Sequence, residues 1–134
     1  MNTEENKRVV NELFARISKG DLDGMLALLS DDVKWWIAGE LEGVPAAGEH
    51  DKKRVAGILA NMRQQLKSDL QLSVHSLTAE DGRVCAQVSG HGELTNGKVY
   101  RNQYHFLISL QAGKIVSVRE YLDTKHVEKT WFSP

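Results

Sequence analysis

One cysteine, Cys85, stands among 134 residues. Its isolation excludes an intramolecular disulfide and any site built on several cysteines, and in a strand it reads as a small buried thiol rather than a nucleophile. Long apolar runs are also missing, so nothing in the chain reads as a membrane span. The charged start MNTEENKRVV leads directly into a helical pattern and does not resemble a signal peptide. A reducing, cytoplasmic setting is the expectation. An excess of charge of either sign is absent as well: 17 basic and 18 acidic residues are interspersed, without a basic stripe carrying aromatics, which argues against nucleic acid as a partner. His50, His75, His91, His105 and His126 are scattered, with none of the HxH, HxxxH or HExxH spacings, so neither a metal nor another cofactor is expected.

What remains is ordinary globular composition, 41% hydrophobic and 26% charged, sufficient for one domain spanning 1–134. Asn2 or Thr3 caps a first helix with Val9, Val10, Leu13, Phe14 and Ile17 on one face. Gly20 ends it, and Asp21 caps a second helix over 22–29. Val33 to Ile37 reads as a short aromatic strand, Ala38 to Glu49 as a loop with room for a small hairpin, and a third helix runs from His50 or Asp51 to Leu66. Four strands follow, over 70–77, 83–94, 99–110 and 115–123. Asp81-Gly82, Asn96-Gly97 and Ala112-Gly113 are the turns between them. Three helices and then a meander give an α+β fold with helices on one sheet face.

The last two strands hold most of the candidate chemistry. A turn at Ala112-Gly113 pairs Gln111 with Lys114, and continued outward that register sets Leu107 against Val118, His105 against Glu120 and Gln103 against Leu122 on one face. Tyr104–Tyr121 and Phe106–Arg119 fall on the other. His105 and Glu120 would then be cross-strand neighbours with Cβ atoms about 4.5–5.5 Å apart. A carboxylate beside an imidazole makes an acid–base group able to work near neutral pH. The mixture of Val, Leu, Gln, His and Glu suits a pocket lining.

The runs GKIVSVREYLDT, YRNQYHF and KGDLDGMLALLSDDVKW, in that fold order, resemble the SnoaL-like branch of the nuclear-transport-factor-2-like superfamily, which includes ketosteroid isomerases, limonene epoxide hydrolase and polyketide cyclases. The resemblance implies a cone of curved antiparallel sheet wrapped on helices, with a cavity open at one end and dimerisation through the outer sheet face. It implies that the isomerases' oxyanion tyrosine falls at Leu13, their base at Ile37 and their second oxyanion acid at His105. Two apolar replacements exclude a true ketosteroid isomerase. The epoxide hydrolase's carboxylate falls at Glu120, but its R-x-D strand reads Arg101-Asn102-Gln103 here, with an amide in place of the second acid.

The expected site therefore has Glu120 and His105 as catalytic pair and Trp35, Arg101, Gln103, Val118 and Leu122 as ligand-binding residues, with Trp35 preferred over Trp36 as the indole in the cavity. The expected partners are a hydrophobic small molecule and a second copy, docked through Tyr104, Tyr121 and Phe106. Trp131-Phe132 caps the cavity or reaches the partner. Two function classes stay open: an isomerase, cyclase or hydrolase working by proton transfer, and a non-catalytic ligand-binding or assembly module on the same cone.

Overall fold

A computed structural model describes residues 2–134. Helix α1, Thr3–Ser18, starts where the Asn2 side chain accepts from the Glu5 amide at 2.8 Å. Val10, Leu13 and Phe14 form its fully buried stripe. The chain then reverses at Gly20, whose φ of +72° favours glycine; an added Cβ would also sit 2.5 Å from the Asp69 carboxylate. Asp21 caps α2 through the Gly24 amide, but α2 is only Leu22–Leu26.

The first strand takes the residues that α2 leaves. Strand β1 runs Leu29–Ile37, longer than expected, because Leu29 pairs with Ile115 and the Ile115 amide donates to Leu28. Asp31 and Asp32 lie exposed within it rather than ending an element. Within the expected loop, strand β2, Gly48–His50, folds back on β1. Helix α3, Lys52–Gln64, is capped by Asp51. Strands β3 (Gln71–Glu80), β4 (Arg83–Glu93), β5 (Val99–Gln111) and β6 (Lys114–Leu122) form the meander. A helix not expected from the sequence, α4, covers Thr124–Trp131, capped by Asp123 accepting from His126.

The six strands form one sheet in the order β2-β1-β6-β5-β4-β3. Only β1 and β6 run parallel; the other neighbours are antiparallel. Helices cover the inner face, where Phe14 meets Phe106 with ring centroids 5.0 Å apart. Burying each such aromatic or leucine side chain contributes about 1.5–3 kcal/mol, which is what holds the bent sheet against the helices.

The β5–β6 register departs from the even one expected. Gln111 pairs with Lys114 and Leu110 with Ile115, but Ser109 pairs with Ser117, leaving Val116 as an additional residue on β6. Such a bulge increases local twist and displaces all later pairs by one. His105 consequently faces Tyr121, and Glu120 faces Phe106. The expected His105–Glu120 pair does not form. On β5 the even-numbered residues Tyr100, Asn102, Tyr104, Phe106, Ile108 and Leu110 point inward and are buried, while Arg101, Gln103 and His105 are exposed on the outer face.

Candidate functional site

Inside the cone, between α3, α4 and the inner sheet face, lies a cavity of about 430 Å³. Helix α3 and its C-cap Gln65 contribute Arg54, Ile58, Asn61, Met62 and Gln65, a stripe at helical spacing. The sheet contributes Ile37, Tyr100, Tyr104, Glu120 and Leu122, and the 44–46 segment closes one side. Val127, Trp131 and Phe132 of the C-terminal segment form a cover. A smaller annex of about 90 Å³ continues towards Trp35, Phe106 and Leu72, sharing Glu120, Tyr104 and Ile37 with the main space.

Glu120 stands where the two spaces meet. The Trp35 indole Nε1–H donates to its Oε1 at 2.9 Å, across the parallel β1–β6 pair. Among the described residues the second carboxyl oxygen has no protein partner, and no cation is paired with the group. Glu120 retains some accessible surface, but that surface faces the cavity and protein encloses the carboxyl. Removal from bulk water raises its pKa to about 7, while the Trp35 hydrogen bond pulls the other way. A carboxyl so placed exchanges a proton near neutrality, unlike one on the surface.

Beside it, the Tyr100 and Tyr104 hydroxyls lie 2.5 Å apart. Burial pushes both phenols well above their ordinary range, so both are neutral donors. One of their two protons makes the mutual bond, which leaves the other for an oxygen in the cavity. His50, 3% exposed, is a further wall residue: its Nε2–H donates to the Ala46 carbonyl at 2.6 Å, and Nδ1 has no partner.

The residues expected at the site divide into two sets. Trp35 is buried inward as expected, and Leu122 lines the cavity. Trp36 is on the outer face, with the Arg119 guanidinium 4.0 Å from its ring centroid. Val118 shares the inner face but is fully buried in the core, so it supports the wall without reaching a ligand. His105, Arg101 and Gln103 are not in the cavity: the Val116 bulge turns them to open depressions on the outer face, beside Tyr121 and His91. The outer contact expected from Tyr104, Phe106 and Tyr121 is corrected for the same reason. Tyr104 and Phe106 are buried inward, and only Tyr121 remains outside, 41% exposed. Trp131 and Phe132 both line this cavity, and Phe132 stays 43% exposed. Among the described residues no three His, Cys, Asp or Glu side chains converge as metal ligands.

Tyr100, Tyr104, His50 and Arg54 were absent from the expected site. The two tyrosines had a legible signal in the apolar even-numbered face of β5; Arg54 had none beyond the helical stripe, and His50, at the end of β2, had none.

A curved six-stranded sheet with helices against it is the α+β fold shared with nuclear-transport-factor-2-like and cystatin-like proteins. Within that class, residues 10–118 match the family model of the SnoaL-like domain, and the chain belongs to that family. Solved structures carry the same fold. A nuclear-transport-factor-2-like protein from Burkholderia xenovorans is 27% identical over 97% of this chain and 98% of its own, with a TM-score of 0.76. A putative polyketide cyclase from Xanthomonas campestris is 20% identical over 97% and 98%, at 0.78. An LEH-like epoxide hydrolase from M. tuberculosis is 19% identical over 96% and 90%, at 0.77. No sequence among curated proteins matches the chain.

Proposed function

We propose that this protein binds a hydrophobic small molecule in the 430 Å³ cavity and moves a proton on it, with Glu120 as the acid–base group. One observation carries this reading: a carboxyl with a free oxygen facing an apolar space, fixed by Trp35 and holding its proton up to about pH 7. Such a group suits removal of a proton next to a carbonyl and its return elsewhere, the step shared by isomerisation and aldol-type cyclisation. The free hydroxyl proton of the Tyr100–Tyr104 pair would stabilise the enolate oxygen formed between the two transfers.

Hydration of an epoxide fits less well. An acid–arginine–acid set has no counterpart around Glu120, since Arg101 and Gln103 lie outside. Asn102 faces inward, but its side chain accepts from the Asp123 amide and donates to the Asp123 carbonyl. Neither His105 nor a metal enters the scheme.

Native mass spectrometry of the purified protein identifies the molecule it retains from its host. That molecule is then incubated with protein in D2O. Wild type should exchange a carbon-bound hydrogen for deuterium, and Glu120→Gln should bind the molecule without exchanging it. Retention without exchange by the wild type would leave a binding module.

A further inference from the structure

Helix α3 places a cation on the cavity wall that nothing inside the protein uses. Arg54 is solvent-exposed at the rim of the cavity it lines, and its guanidinium makes no ion pair or hydrogen bond among the described residues; only its backbone amide is engaged, by the cap Asp51. Four residues before Arg54 is His50, buried on the same wall with an orphaned Nδ1. With the proton on Nε2, His50 Nδ1 is an acceptor, so the donors and the positive charge at this end of the cavity are those of the Arg54 guanidinium alone, which has no carboxylate beside it.

Its distance from Glu120 is informative. His50 pairs with Trp35, and Trp35 with Val118, so Glu120 is two strands across and two residues along. Strand geometry makes that about 12 Å between Cα atoms. An anion held at the Arg54 end would lie well away from the carboxyl that must ionise, and would not oppose its charge. The wall between is apolar, with Ile37, Val44 and Ile58.

We infer that the cavity takes an elongated hydrophobic acid: its anionic group is held by Arg54 at the His50 end, and its reacting carbon lies several bonds away at Glu120. The inference rests on the cavity being a ligand site, as proposed above, and adds the charge and shape of the ligand. Arg54 is then a specificity-determining residue, and uncharged analogues of the same skeleton bind less well.

Two fluorescent probes of nearly the same skeleton separate charge from shape: 8-anilinonaphthalene-1-sulfonate, an anion, and N-phenyl-1-naphthylamine, which is neutral. Gly57 supplies the control for location, because a Cβ there meets nothing within 4 Å and the residue lines the cavity. Gly57→Trp should plug the space and displace both probes. Arg54→Gln should weaken the anionic probe about tenfold, the order of one charge-assisted hydrogen bond in a partly wet site, and leave the neutral probe unchanged. Arg54→Lys should recover part of the loss. Equal binding of the anionic probe by wild type and Arg54→Gln would overturn the inference while leaving the cavity as a ligand site. Probes that bind but ignore Gly57→Trp would overturn both, because the bound molecules would lie elsewhere.

Discussion

Raising the pH from 5 to 8 should cost this protein stability through one side chain, and Glu120→Gln should abolish that cost. The unfolded carboxyl titrates near its ordinary 4.5 and the folded one near 7. Between those values the folded state binds more protons than the unfolded state, so unfolding free energy falls as pH rises and levels off above about 7. A displacement of that size corresponds to about 3 kcal/mol at roughly 1.4 kcal/mol per tenfold. Water entering the cavity reduces it, so a loss of about 1–3 kcal/mol is expected. Glutamine keeps an oxygen for the Trp35 indole and carries no charge. Urea denaturation of wild type and variant at pH 5, 6, 7 and 8 isolates the residue, since every other ionisable group is the same in both chains. The variant should gain on the wild type by about 1–3 kcal/mol across the series, about 4 °C in melting temperature per kcal/mol. A constant difference from pH 5 to 8 would mean that Glu120 ionises as a surface carboxylate does, and the acid–base role would fail with it.

Two further outcomes follow from the supports of the site. Trp35→Phe removes the donor that favours the charged carboxylate, so the midpoint of the same pH-dependent loss should move upward from about 7, read from the same denaturation series. Asp123→Ala removes the cap of α4 at a cost of about 1 kcal/mol, and hydrogen exchange should quicken across 124–132 before it does in β5 or β6.

The fold was largely readable because its elements announce themselves locally. Asn2, Asp21 and Asp51 cap helices whose apolar residues recur at helical spacing, and Asp81-Gly82 and Ala112-Gly113 supply two successive left-handed residues for tight turns. Helix α4 escaped notice because it is short, and its inward residues Val127 and Thr130 sit among lysines and glutamate. The site was half readable. Parity along β6 correctly put Glu120 and Leu122 on the inner face, whereas parity along β5 was inverted by the single residue Val116. Nothing about Val116 marks a bulge. The signal lay instead in composition: even-numbered β5 residues are mostly aromatic or aliphatic, odd-numbered ones between 101 and 105 are polar, and joining the two apolar faces requires a displacement by one. A pattern local to one strand fixes which residues share a face; only the pair of strands together fixes which face they share with a neighbour.

The parallel contact between β1 and β6 also governs when the protein can become itself. Synthesis proceeds from the N-terminus, so β1 and its small hairpin partner β2 emerge early, but among the described strands they join the rest of the sheet through β6, which comes last of the six in chain order. Until then the β1–β2 hairpin has helix α3 but no further strand beside it, and Trp35 has no acceptor. Closing a loop of some eighty residues is slow compared with forming the β3–β4–β5 hairpins, whose contacts are near in sequence. The Trp35–Glu120 hydrogen bond therefore reports directly on whether this sequence-distant closure has been made.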